Sequence, residues 1–388
     1  ASERPAILAG GGAWFSGTGD DLLAFAERTG TPVFSNAKAH GLVPGDHPLS
    51  GRGFPHLAFA AGAGLGEADL VLVLGARLGL FTGGRGARLI PSGARLIQVD
   101  IAAEEIGRNR TVDLGIAADC RVAVRALVAA ASGLVWPDRS AWSGGICQVR
   151  DGHRAMFAAA LENQEPPIHP YRLASEIARA LPRGAIVAAD GGETSSWMET
   201  VAEVHGGGHY MSHGYLGCLG TGMAFAIAAK VAHPDRPVLC IVGDGSVGLN
   251  FAEFDTMVRH GLEIVTVVNN DQLWGMSAHG QDLIYGKEKR VVTELAPTRY
   301  DQAAAGFGCH GEHVEDPAEL PAALERAFAS GKPACVNVMT DGSVIAPITL
   351  AMVGTLSQAE PEAADDGGPQ EDSEGAGIRI PYYEDLKE

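Results

Sequence analysis

Residues 237–281 read PVLCIVGDGSVGLNFAEFDTMVRHGLEIVTVVNNDQLWGMSAHGQ. Val238–Val242 is a short apolar run with the β-branched content of a buried strand. It stops at Gly243-Asp244-Gly245-Ser246, a sharp polar turn. Beyond it, Val247, Phe251, Phe254 and Val258 recur at spacings of three and four, which predicts a helix over Ser246–His260. A second buried strand is predicted over Glu263–Val268, ending in Asn269-Asn270-Asp271 and followed by Trp274-Gly275-Met276. This is a βαβ unit with oxygen-bearing side chains at the carboxyl ends of both strands, where open α/β sheets bind ligands. Hard oxygen donors beside a glycine turn and a helix N-terminus suit Mg²⁺ bridging to a diphosphate. The alternative is an ordinary doubly wound unit whose polar residues cap helices.

The flanking chain repeats the alternation. Ala6–Ala9 is a strand running into Gly10-Gly11-Gly12, followed by an amphipathic helix over Asp20–Thr29. Further strands are expected at Pro32–Phe34, Leu70–Leu74 and Arg95–Val99, with a closing helix over Val122–Ala130. The glycine turn does not fit GxGxxG and reads equally as a tight strand-to-helix turn or a phosphate cradle. Residues 133–167 carry Pro137, Pro166 and Pro167 around a short helical stretch and read as a linker. The second α/β unit starts with a helix over Tyr171–Leu181 and a strand over Ala185–Ala189 that ends in Asp190-Gly191-Gly192-Glu193-Thr194. The small-residue turn MSHGYLGCLGTG, residues 211–222, leads into a helix over Met223–Val231. A helix over Tyr300–Gly306 and a strand over Ala334–Met339 close the unit. The fold class is therefore α/β, with two doubly wound parallel-sheet domains (1–132 and 168–347) and a partly disordered tail (348–388). In that tail Ser357–Gly377 is acidic and aperiodic, a disordered linker, and Ile378–Tyr383 is apolar again. The last segment reads as a lid over the site or as a solvated end.

Composition narrows the function classes. A chain of 388 residues with 46% hydrophobic content can bury two cores, and a net charge of −18 argues against nucleic acid as a partner. The six cysteines show no CxxC or metal-ligand spacing, as in a reducing cytoplasm. No stretch is apolar and long enough to span a membrane, and no signal peptide is evident. The chain opens at Ala1 and enters a strand within a few residues, which reads as a cut in a linker.

The GDG…NND unit resembles the metal and diphosphate signature of thiamine-diphosphate-dependent enzymes. Asp271 stands 27 residues after Asp244, the offset at which that family places its second ligand. The resemblance therefore implies Asp244, Asp271 and the Leu273 carbonyl as Mg²⁺ ligands, with Asp where most relatives have Asn. It implies diphosphate contacts near Gly192, Glu193, Gly245 and Ser246. It also implies a Gly217 carbonyl facing the aminopyrimidine and a Leu219 side chain bending the cofactor, with Trp274, Gly275 and Met276 beside it. MSHGYLGCLG, GDGSVG, EFDTMVRH and WGM…HGQ are similar to the benzaldehyde lyase and 2-hydroxyacyl-CoA lyase branch, with acetolactate synthases more distant. Ser195, Met276, His279 and Gln281 are the substrate-pocket candidates. Ser195 replaces the Tyr of benzaldehyde lyases, which puts an aromatic aldehyde substrate in doubt. His279 reads as an acid–base group or as a structural histidine.

Leu74–Leu78 and Leu96–Ile101 resemble the middle domain of the same superfamily, which carries FAD in some members and ADP in others. Arg77 and Asp100 would then face an adenine nucleotide; otherwise Arg77 is a surface residue and Asp100 caps a helix over Ala102–Ile106. Relatives carry a preceding pyrimidine-binding domain whose glutamate activates the cofactor, and no equivalent precedes Ala1. The catalytic glutamate is thus expected elsewhere, in a longer polypeptide, a partner chain or a homo-oligomer, and this chain alone is expected to lack turnover. The function implied is a thiamine-diphosphate- and Mg²⁺-dependent C–C lyase or carboligase acting on 2-hydroxyacyl substrates. Acetolactate-synthase-like condensation of 2-oxo acids and a non-catalytic cofactor-binding module are the alternatives.

Overall fold

The computed structural model describes residues 2–79, 82, 89–214 and 216–358. The expected acidic run from residue 359 onward and the lid segment Ile378–Tyr383 lie outside the described residues. Two six-stranded sheets are present, and every strand pair in both is parallel. The first contains β1 Pro5–Ala9, β2 Val33–Ser35, β3 Ser50–Gly53, β4 Leu70–Leu74, β5 Arg95–Asp100 and β6 Leu114–Ala117 in the order β3-β2-β1-β4-β5-β6. The second contains β7 Ile186–Ala189, β8 Tyr210–Ser212, β9 Val238–Gly243, β10 Ile264–Asn270, β11 His310–Val314 and β12 Ala334–Met339 in the order β11-β12-β10-β9-β7-β8. All residues of β1, β9 and β10 are buried, as continuous apolar strands covered by helices on both faces must be.

Four strands escaped the sequence reading: β3, β6, β8 and β11. They are the four sheet edges. An edge strand is covered on fewer sides, so segments such as Ser-Gly-Arg-Gly in β3 or His-Gly-Glu-His-Val in β11 need not be apolar. The expected helix over Ser246–His260 is two helices, Asp244–Leu249 and Glu253–Arg259. Asn250 breaks it with a non-helical backbone, and its side-chain amide donates to the Gly220 carbonyl. β10 runs two residues further than expected because β12 pairs with it as far as Asn270↔Met339. Within the expected linker, Ser140–Met156 is a helix of 17 residues, and Trp142 and Ile146 join the core of the first sheet. The Trp142 indole donates to the Pro5 carbonyl over 2.8 Å. Pro347–Gln358 is also helical, inside the span read as tail.

Strand order reverses between β1 and β4 in the first sheet and between β7 and β9 in the second. At such points the two loops leave in opposite directions and open a crevice at the strands' carboxyl ends. The two units are joined where β3 and the segment between β2 and β3 pack on the end of the helix Gly192–Val201 and the loop that leads into β8. There Gly45 N donates to Val204 O (2.8 Å), Arg52 pairs with Glu203 (2.9 Å) and His40 Nε2 lies 3.0 Å from Glu199 Oε1.

Candidate active site

A cavity of about 730 Å³ opens at these switch points. Its second-sheet wall is built from three turns. After β7, Gly191 adopts φ +94°, and a Cβ there would sit 3.2 Å from Gly243 N. After β9, a Cβ on Gly245 would sit 2.7 Å from the Trp274 ring. Gly191 lets the turns after β7 and β9 pack closely, and Gly245 leaves room for the Trp274 ring against the second turn. After β10, Gln272 takes a left-handed φ of +59°, rare for a residue with a side chain. Two backbone bonds hold that loop, Trp274 N to Thr293 O and Leu295 N to Gln272 O, both 2.8 Å.

In this turn the Leu273 N–H donates to Asp271 Oδ1 over 3.1 Å. Asp244 is 2% exposed. Its Oδ1 accepts from Gly245 N at 2.7 Å, while its buried Oδ2 has no partner among the described residues. Burial, then the charge of Asp271, holds the Asp244 carboxyl well above the usual carboxylate range. Asp271 is raised too, first by burial and then by Glu193, against the Leu273 N–H and His279. Two such carboxylates with an unsatisfied oxygen are the donor set of a hard divalent cation, so the residues present fit Mg²⁺.

Asn270 is turned away from the cavity. Its amide nitrogen donates to Asn337 Oδ1 (3.0 Å) and Thr298 O (3.1 Å), whereas Asp271 lines the cavity. Of the residues singled out in the sequence, Gly192, Glu193, Ser195, Gly217, Leu219, Asp244, Gly245, Ser246, Asp271, Leu273, Trp274, Gly275 and Met276 all line it. Gln281 and His279 do not. Gln281 exchanges hydrogen bonds with the Val291 backbone (2.8 and 3.3 Å), and His279 is buried behind Glu193 with Nδ1 2.9 Å from its Oε2. The second ring nitrogen of His279 faces Gly342 O at 3.0 Å, so both nitrogens are engaged.

Other lining residues carried no signal strong enough to single them out in the sequence. His213 and Glu199 are two of them. His213 stands inside a glycine-rich turn and Glu199 within a helix, where neither type is unusual. At the other end of the cavity Gly11, Gly12, Gly75 and Arg77 contribute from the first sheet. A Cβ on Gly12 would lie 2.8 Å from Gly75 Cα, so the glycine turn serves close packing and cavity wall together. The Arg77 guanidinium donates to Glu105 (2.5 Å), and Asp100 accepts from Ala102 N (3.0 Å) within the turn after β5. That bond caps no helix, because Ala102 is the cap residue of the single 3₁₀ turn that follows, Ala103–Glu105, and carries no side-chain cap bond.

The sequence profile of the C-terminal TPP binding domain of thiamine pyrophosphate enzymes matches residues 190–338. The profile of the central domain of the same enzymes matches residues 1–127. The chain belongs to the thiamine pyrophosphate enzyme superfamily. Thiamine diphosphate is the group whose binding domain the second unit matches. An acetolactate synthase large subunit, IlvG, of Mycobacterium tuberculosis is 37% identical over 347 residues, covering 89% of this chain and 61% of that protein. A 2-hydroxyacyl-CoA lyase of Arabidopsis thaliana is 30% identical over 350 residues, covering 88% and 60%. An acetolactate synthase isozyme 1 large subunit of Escherichia coli is 28% identical over 342 residues, covering 88% and 59%. The chain thus spans about 60% of the length of these relatives. Among the described residues no helix is long and apolar enough to cross a membrane.

Proposed function

We propose that the chain carries the metal and diphosphate site of a thiamine-diphosphate-dependent enzyme that cleaves or forms C–C bonds next to a carbonyl. The observation that supports this best is the Asp244–Asp271 pair, two buried carboxylates raised by burial and by neighbouring charge beside an unsatisfied Asp244 oxygen. Under this reading Asp244, Asp271 and the Leu273 carbonyl hold Mg²⁺. The backbone and side chains at Gly192, Gly245 and Ser246 hold the diphosphate, and Gly217 and Leu219 orient the rings. When bound, the cofactor supplies an electron sink for the carbanion left by C–C cleavage. The protein supplies position: fixing the cofactor against the wall replaces an encounter by an intramolecular geometry. Asp244 and Asp271 would present negative charge to the cation, and without a cation burial favours their protonated forms.

A lyase or carboligase acting on 2-hydroxyacyl compounds is the substrate reading we favour. Condensation of 2-oxo acids is the second, favoured by the higher identity to the mycobacterial acetolactate synthase large subunit. In the resemblance set out above, the pyrimidine contact comes from another domain. A homo-oligomer or a second chain carrying that domain therefore completes the site in this proposal. FAD or ADP against Gly11, Gly12, Gly75 and Arg77 is a further proposal, and a yellow purified protein is its simplest sign. The deciding experiment is calorimetric titration with thiamine diphosphate in Mg²⁺ and in EDTA. Binding is expected only with the cation. Equal affinity in both buffers would remove the metal-bridged site, and no binding in either would leave a module of another function.

A further inference from the structure

One wall of the cavity has hydrogen-bonding demands that the cofactor contacts proposed above do not use. Ser195 and Glu199 project from the helix Gly192–Val201, and His213 follows β8; all three line the cavity. Ser195 Oγ lies 3.2 Å from Gly192 O and 3.4 Å from His213 Nε2, and His213 Nδ1 lies 3.1 Å from Gly214 O. A proton count decides what this cluster lacks. The Gly214 carbonyl accepts only if Nδ1 carries the imidazole proton, which leaves Nε2 of a neutral ring as an acceptor. The one hydroxyl proton of Ser195 has the shorter path to Gly192 O. Nε2 of the cavity-lining His213 is thus left with only a long contact, able to accept from a ligand O–H.

Glu199 adds a second acceptor on the same wall. Its Oε1 is held at 3.0 Å by Nε2 of His40, a side chain 7% exposed whose other ring nitrogen lies 3.1 Å from Ser35 Oγ. The wall is rigidly set: the Tyr210 hydroxyl donates to Ser195 O over 3.2 Å, and the Tyr210 ring meets the His40 ring edge-on at 5.0 Å. Two ordered acceptors on one wall suit hydroxyl donors. An alkyl or aryl chain laid there would strip water from them and return nothing, and a carboxylate would meet the Glu199 charge.

The geometry points to a hydroxyl-recognising subsite formed by Ser195, Glu199 and His213, which takes a short hydroxylated ketone or aldehyde in preference to an alkyl, aryl or carboxylate-bearing one. This inference rests on the thiamine-diphosphate reading for its reaction, but not for the ligand preference itself.

Dihydroxyacetone and 3-pentanone have the same carbon–oxygen skeleton length and differ in two hydroxyls against two methyls, so they isolate the contribution of the O–H groups. Each is titrated into the full chain by ligand-observed NMR, with pyruvate as a third probe, in the presence and absence of thiamine diphosphate and Mg²⁺. Dihydroxyacetone is expected to bind about tenfold or more tightly than 3-pentanone, the scale of a polar site left unpaired by an apolar analogue. His213→Ala and Glu199→Gln should each shrink that ratio, while calorimetric affinity for thiamine diphosphate stays unchanged. Equal binding of the two ketones by the unaltered chain would overturn the subsite, with no variant required. So would a ratio untouched by both substitutions, or pyruvate binding more tightly than dihydroxyacetone. Failure of thiamine diphosphate to bind would instead strike the proposed cofactor site, and the cofactor-free titrations would still decide the ketone preference.

Discussion

Nδ1 of His279 lies 2.9 Å from Oε2 of Glu193, and the two side chains are only 2% and 7% exposed. The other carboxylate oxygen of Glu193 accepts from the Thr349 hydroxyl and from Ala346 N. One carboxylate in the first turn of the helix Gly192–Val201 therefore joins that helix to Gly275–Tyr285 and to the start of Pro347–Gln358. It does so directly behind the cavity wall, where Ile348 also reaches the cavity.

Removing one partner of this pair strands the other. His279→Ala should lower unfolding stability by about 3 kcal/mol or more, as loss of one side of a buried ion pair does. Burial opposes the charged imidazolium, but the hydrogen bond and charge of Glu193, with the Gly342 carbonyl, outweigh it and raise His279 above its ordinary value. A raised folded-state value means the stabilisation is complete below the unfolded histidine's pKa and is lost as pH rises through the folded one. Urea denaturation of the chain and of His279→Gln across that window checks this. Parallel pH curves would show that His279 does not carry charge in the folded state.

The carboxylate pair changes stability with pH in the same direction, through protons rather than an ion pair. Asp244 and Asp271 are both raised in the folded state, so without a cation the folded chain holds protons that the unfolded chain has released. Stability in EDTA should then fall as pH climbs from the ordinary carboxylate range through the raised values, and Mg²⁺ should cancel the fall. Thermal midpoints from acid to neutral pH in the two buffers measure it. Asp271→Asn should flatten the EDTA curve and still leave Mg²⁺-dependent stabilisation, because the amide oxygen remains a hard donor.

Asn270 and Asp271 are adjacent but do different work. Asn270→Ala should cost about 1–3 kcal/mol of stability, since it leaves the buried Asn337 oxygen without its donor. Asp271→Ala should cost at least about tenfold in thiamine diphosphate affinity with little loss of stability, as deletion of a Mg²⁺ ligand would. The reverse ranking in paired denaturation and calorimetry would shift the metal site by one residue.

Gly245→Ala tests the close approach of the second and third turns. Its methyl would sit 2.7 Å from the Trp274 ring, which must move. Loss of cofactor affinity together with a change in tryptophan emission is the expected result. Unchanged emission and affinity would show that the ring is not wedged against the turn.

The central strands were legible because a strand covered on both faces must be apolar along its whole length, as Val238–Val242 is. The turns were legible because left-handed dihedrals and close approach demand glycine, and the carboxylates because hard-cation chemistry demands oxygen at strand ends. These are local requirements, and each leaves its mark at its own position. The edge strands β3, β6, β8 and β11 left no such mark, since hydrogen bonds to one neighbour can hold them without an apolar pattern. Nothing around Asn250 in sequence announces the Gly220 carbonyl that breaks its helix. His279 is the sharpest case: acid, base and structural post remained open until the fold set Glu193 on one ring nitrogen and Gly342 on the other. Sequence by itself determined which residues must be buried, which must turn and which can bind a hard ion. Only the tertiary structure decided which distant carbonyl or carboxylate completes each polar side chain, because that pairing depends on loops brought together by the sheet order.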